Sequence, residues 1–92
     1  IHAGLEHFSE SRRLEEYSVE ELVWKRTDFD IAYFKNITVV SGHTPTQNIL
    51  GNSRPGYIFK KNNLIAIDCG AGENNGRLAA VCLGKGEEYY AE

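Results

Sequence analysis

The chain reads as a small α/β (α+β) domain, mostly β with short helices, and three observations predict this. The apolar runs Ile37-Thr38-Val39-Val40, Leu64-Ile65-Ala66-Ile67 and Leu78 to Leu83 have the length of strands and not of helices. Lys61-Asn62-Asn63 separates two apolar runs with residues that tolerate left-handed backbone, which signals a hairpin. Ser18-Val19-Glu20-Glu21 forms a capping box ahead of only a few apolar residues, enough for one short helix.

In chain order, Glu6 to Tyr17 mixes charges around few large apolar residues and reads as an exposed connection. Arg12, Arg13, Glu15 and Glu16 are expected on a solvated face, and His7 on the surface. The helical turn that starts at Ser18 runs through Leu22, Val23 and Trp24, with the indole expected to be buried, and places Arg26. Asp28-Phe29-Asp30 offers a cap for one or two further helical turns over Ile31, Tyr33 and Phe34, and core packing is the default role of the last two. Asn36-Ile37-Thr38 fits a glycosylation sequon, but it opens a strand expected to be buried, so the match is read as chance.

That strand leads into Gly42-His43-Thr44-Pro45-Thr46. Gly42 is expected to let the backbone turn, and Pro45 stops the strand from continuing. The imidazole then stands at a strand's carboxyl end, where open α/β sheets place their ligands. Further on, Tyr57-Ile58-Phe59-Lys60 and Leu64 to Asp68 flank the hairpin turn, and Gly84-Lys85-Gly86 turns the run from Arg77 to Leu83 into Glu87-Glu88-Tyr89-Tyr90. The runs Leu64 to Ile67 and Leu78 to Leu83 are almost continuously apolar, so cover on both faces is expected.

Ninety-two residues make one small domain or a piece of a larger one. The sequence has no methionine, so Ile1 is not expected to be a translation start, and excision from a longer chain is the simplest explanation. A net charge of −3 and a pI near 5.6 give no general attraction to nucleic acid or to an anionic membrane, so any phosphate recognition must be local. No apolar stretch approaches the roughly 18 residues of a membrane span, and no signal-peptide pattern is present; the chain is expected in the cytoplasm. If Cys69 sits opposite Arg77, Cys82 lies about five residue pairs away, roughly 17 Å at strand rise and beyond disulfide reach. Both cysteines are therefore expected as reduced, buried thiols, and neither has the C-x-x-C spacing of a zinc or redox site.

Four segments carry the chemistry: Ile1-His2-Ala3-Gly4-Leu5, Leu22-Val23-Trp24-Lys25-Arg26, Gly42-His43-Thr44-Pro45 and Ile65-Ala66-Ile67-Asp68-Cys69-Gly70-Ala71. In this order they resemble the C-terminal half of a calcineurin-like metallophosphoesterase of the PPP-type protein phosphatase group. In that family a "HAGL" or "HGG" segment is followed by "LxWxR", "GHTP", an "IDxGA" strand and a "GxL" strand. The resemblance implies that residues 1–92 are a C-terminal fragment of a catalytic domain, part of a two-sheet sandwich flanked by helices. The family's earlier motifs, "GDxHG", "GDxxDRG" and "GNHE", supply the bridging aspartate, the other ligands and a histidine proposed as general acid. None occurs here, so no catalytic acid or base is assigned in this chain.

By that resemblance His2 and His43 bind metal, as part of a site for two divalent ions, with manganese expected first and iron or zinc as alternatives. Arg26 matches the arginine that contacts the substrate phosphate, and a guanidinium fork suits two phosphate oxygens. Its competing role is a surface ion pair with Asp28 or Glu21. Asp68 corresponds to no metal ligand and is expected to accept hydrogen bonds from loop amides or to orient His43. The segment Ala71 to Gly76 departs from members that carry an aromatic residue there.

The implied activity is hydrolysis of phosphate monoesters, most simply as a bacterial-type serine/threonine protein phosphatase acting on a phosphoprotein or a small phosphate ester. Dinucleoside polyphosphate hydrolases share the same motifs. A non-catalytic β-rich interaction module on the same scaffold is the rival of a different class. The expected partner is the N-terminal half of the same catalytic domain. Alone, the chain is expected to be inactive and to self-associate, with His2 and His43 in that assembly no longer converging on a metal.

Overall fold

Val39–Ser41 (β1), Phe59–Lys61 (β2) and Leu64–Ala66 (β3) make the first sheet of the computed structural model, which describes residues 1–91. The order is β1-β3-β2, with β1 parallel to β3 and β2 antiparallel to it. The β2–β3 turn is made by Asn62 and Asn63, both left-handed with φ of 52° and 61°, as the hairpin signal required. A second, two-stranded sheet pairs Leu78–Val81 (β4) with Glu88–Ala91 (β5), in the register Ala79 to Tyr90 and Ala80 to Tyr89. The architecture is mostly β, with two sheets and few short helices.

Among the described residues the helical material is one five-residue helix, Val19–Val23 (α1), and two single 3-10 turns at Leu14–Glu16 and Thr46–Asn48. The capping box at Ser18 is present in both directions: Ser18 Oγ accepts from the Glu21 amide, and the Ser18 amide donates to Glu21 Oε1. The further helix expected over Ile31 to Phe34 does not form. Asp28 Oδ1 instead accepts the Asp30 amide at 2.9 Å, and the Asp28 amide donates to the Tyr33 hydroxyl at 2.8 Å, so side chains take the hydrogen bonds that a helix would have used. No helix among the described residues is long and apolar enough to cross a membrane.

Leu5, Tyr17, Tyr33, Val39 and Leu64 form the core, with Phe8, Leu22, Phe29 and Phe34 packed against it. Phe8 meets Tyr33 and Phe34 edge-on at 4.8 and 5.7 Å. Tyr33 and Phe34 thus take the core role expected of them. The connection from Glu6 to Tyr17 is less loose than its charge pattern suggests. Arg12 reaches Glu21 with two hydrogen bonds of 2.6 and 2.7 Å and lies over the Tyr17 ring, while Arg13 and Glu15 form an exposed pair. His7 is exposed, as expected, and reaches Glu21 as well.

Three further expectations are corrected. Trp24 is 68% exposed: α1 ends at Val23, and the indole leaves the helix for the surface. Strand β1 begins at Val39 and not at Ile37, so Asn36, Ile37 and Thr38 are exposed and Thr38 Oγ1 bonds to Asn63. Strand β4 is not covered on both faces; Leu78 and Ala80 are exposed while Ala79 and Val81 are half-buried. Cys69 and Cys82 are both free thiols, the first buried and the second half-buried.

Candidate functional site

The site starts from how the first residues lie against β1. Ile1 N donates to the Val40 carbonyl at 2.9 Å, and the Gly42 amide donates to the His2 carbonyl at 2.8 Å, which seats His2 beside the end of β1. Ala3 is fully buried, and its amide donates to the Leu22 carbonyl of α1 at 3.0 Å. Gly4 permits a close backbone approach: a Cβ there would lie 2.6 Å from the Lys25 carbonyl oxygen and 2.9 Å from the Thr27 nitrogen. Any side chain at position 4 would drive residues 25–27 away.

Thr27 joins these segments. Its buried Oγ1 donates to the Ala3 carbonyl at 2.6 Å and meets Ser41 Oγ of β1 at 3.1 Å. The histidine at the chain start, the arginine after α1 and the end of β1 are therefore fixed to one another by buried hydrogen bonds.

The loop after β1 then presents His43. The left-handed backbone falls on the histidine itself, with φ of 68°, and not on Gly42, where a Cβ would make only ordinary contacts at 3.6 and 3.8 Å. A left-handed non-glycine residue at a loop tip stores backbone strain, and such strain concentrates at functional positions. His2 and His43 converge, with ring centroids 5.0 Å apart and planes tilted by 53°. Trp24 stands edge-on to the His43 ring at 6.1 Å, so its exposed indole is a neighbour of the pair.

His2, His43 and Asp68 share the wall of a cavity of about 320 Å³ with Cys69 and Arg77. Asp68 lies on the loop after β3, where its Oδ1 accepts the Gly70 amide at 3.0 Å and its carbonyl accepts the Thr46 amide at 2.8 Å. The loop-amide role expected of it is present, and it ties the His43 loop to the end of β3. Burial pushes the Cys69 thiol above its ordinary value, which keeps it protonated and a poor ligand.

The sequence marks Arg77 only as the start of a strand. Its guanidinium donates to the Gly56 carbonyl, lies over the Tyr57 ring at 4.2 Å and reaches the histidine cavity. Nothing in its local sequence announces this, because the approach depends on a bridge between Gly70 and Arg77, far from the motifs.

Arg26 makes neither of the ion pairs considered for it. Nη1 donates to the His43 carbonyl at 2.9 Å and to Thr44 Oγ1 at 3.0 Å. Nε and Nη2 have no acceptor among the described residues, so one edge of the exposed fork anchors the guanidinium and the other is open. Arg26 does not line the histidine cavity; it lines a neighbouring one of about 230 Å³, and the histidine loop joins the two.

Two imidazoles from separate segments fit a divalent transition metal as part of a ligand set. Among the described residues no three His, Cys, Asp or Glu side chains gather to complete one. No model of a known protein family, no curated protein and no solved structure matches this chain.

Proposed function

We propose that this chain is the C-terminal part of a metal-dependent phosphoesterase domain of the calcineurin-like type, which hydrolyses phosphate monoesters of a phosphoprotein or a small phosphate ester. The observation that carries the reading is the meeting of His2 and His43, 41 positions apart in sequence, with Arg26 anchored on the backbone of the second. Both imidazoles are ligands of the right softness for manganese, iron or zinc. His2 and His43 would hold a divalent ion, whose chemistry there would be Lewis-acid polarisation of a phosphoryl group.

The chain's own residues do the rest of what this half can do. Arg26 offers the Nε and Nη2 edge of a rigid fork to two phosphate oxygens while Nη1 holds its position. Asp68 and Thr27 fix the loops that carry the histidines and the arginine, so the groups are held before substrate arrives. Among the described residues no third His, Cys, Asp or Glu gathers with the two imidazoles, and the N-terminal half of the domain is the proposed source of a bridging carboxylate and a general acid.

Trp24 provides the test, since it is the sole tryptophan and stands beside His43. Titration with Mn²⁺ or Co²⁺ is expected to quench its fluorescence saturably and to broaden the amide resonances of residues 2 and 43. His43→Ala is expected to abolish both effects. Equal quenching in the variant would mean that the ions act elsewhere, and the metal reading would fall.

A further inference from the structure

We propose that the cavity beside Arg26 is a leaving-group subsite, which takes an uncharged apolar group joined to a phosphate held at Arg26. The inference rests on the phosphate-binding reading of Arg26 and adds what the rest of the substrate must be. Arg26 and Thr44 both line this cavity of about 230 Å³. A cavity of roughly 150 Å³ lined by apolar side chains is enough to hold a benzene ring.

Phe29, Ile49 and Leu50 supply the apolar wall. Ile49 is buried and Phe29 is half-buried against the core, so both are rigid. Leu50 is different: it is 96% exposed at the turn that follows Thr46–Asn48, and it makes no contribution to the core. Lining the same cavity as a guanidinium with an open edge, that exposed side chain is available to cover an apolar group.

The remaining wall excludes further anions. Asp28 and Asp30 line the cavity, and Lys61 answers only Asp30, at 3.1 Å. A substrate that extended from Arg26 as a polyphosphate would bring additional negative charge against the Asp28 carboxylate. A monoester places its one phosphoryl group at the arginine and its carbon portion against Phe29 and Leu50. The charge arrangement therefore favours an apolar monoester over a polyphosphate.

The experiment uses the full 92-residue chain, ¹⁵N-labelled, titrated with inorganic phosphate, phenyl phosphate and pyrophosphate. Inorganic phosphate is expected to shift the Thr44 amide. Phenyl phosphate is expected to shift the Ile49 and Leu50 amides as well and to bind about fivefold more tightly, the effect of partly burying a ring. Leu50→Ser should remove that advantage and leave inorganic phosphate binding unchanged. Pyrophosphate binding tighter than phenyl phosphate, or an advantage that survives Leu50→Ser, would overturn the subsite while leaving Arg26 as a phosphate contact. A Thr44 amide that ignores inorganic phosphate would overturn the reading of Arg26 itself, and the subsite with it.

Discussion

Arg26 is held by the residue whose chemistry it is proposed to serve: its Nη1 donates to the backbone carbonyl of His43 at 2.9 Å. The cation is thereby tied to the loop and not to the histidine ring, which leaves the imidazole free to bind. One guanidinium thus restrains the loop with one edge and presents the other to solvent.

Arg26→Ala is expected to act on both functions. The amides of residues 43 and 44 should exchange faster, because the loop loses two hydrogen bonds. If the proposed phosphoesterase is the parent, loss of a charge-assisted phosphate contact there should lower kcat/KM by the equivalent of about 1.5–3 kcal/mol. An unchanged kcat/KM would reduce Arg26 to a loop anchor.

Position 43 separates strain from ligation. Because its backbone is left-handed, His43→Gly should be more stable than His43→Ala by about 1 kcal/mol, although both remove the imidazole. Chemical denaturation of the two variants measures the difference. Equal stabilities would show that the loop relaxes out of the left-handed region without cost.

The capping box and the Asn62-Asn63 turn could both be read from residue types and order, since each depends on local chemistry. The exposure of Trp24 and the absence of a helix after Asp28 could not. Both depend on where α1 stops and on a tyrosine hydroxyl five residues away that captures the Asp28 amide. Arg77 was illegible for the same reason, since a pairing between Gly70 and Arg77 carries it to the cavity.

Gly4 offers a test of the segment that carries His2. A methyl group there would lie 2.6 Å from a backbone oxygen that cannot swing aside, so Gly4→Ala should destabilise the chain by about 1–3 kcal/mol. The displacement would also strain the Thr27 link to Ala3 and Ser41. Weaker Mn²⁺ quenching of Trp24 in a variant that remains folded would show that the link positions the histidines; full stability would refute the close approach.

Acid sensitivity should concentrate on Glu21. Hydrogen bonds from Arg12 first, then from the Ser18 amide and His7, hold its carboxyl well below the usual carboxylate range, and the side chain is only 15% exposed. A folded-state value depressed below the unfolded one, about 4.3, gives stabilisation that is complete above that pH and is lost as pH falls further. Denaturation midpoints measured between pH 7 and 3 should therefore drop more steeply for the unaltered chain than for Glu21→Gln. Parallel profiles would place the acid sensitivity elsewhere.

The exposed face of the second sheet predicts how the chain behaves in solution. The β4–β5 register sets Leu78 beside Ala91 and Ala80 beside Tyr89, and all four are exposed, with Leu78 at 64% and Tyr89 at 54%. The opposite face is engaged: the Tyr90 hydroxyl accepts the Ile58 amide at 3.1 Å, and Lys60 pairs with Glu88 at 3.3 Å. A two-stranded sheet with one bare apolar face is marginal in water, and covering that face with a second copy removes the exposed apolar patch. At tens of micromolar the chain should scatter light as a dimer or larger species, and Leu78→Lys combined with Tyr89→Lys should return it to the mass of one chain. A single-chain mass for the unaltered protein, with one cooperative unfolding transition, would show instead that the small core around Leu64 suffices and that the bare face is tolerated.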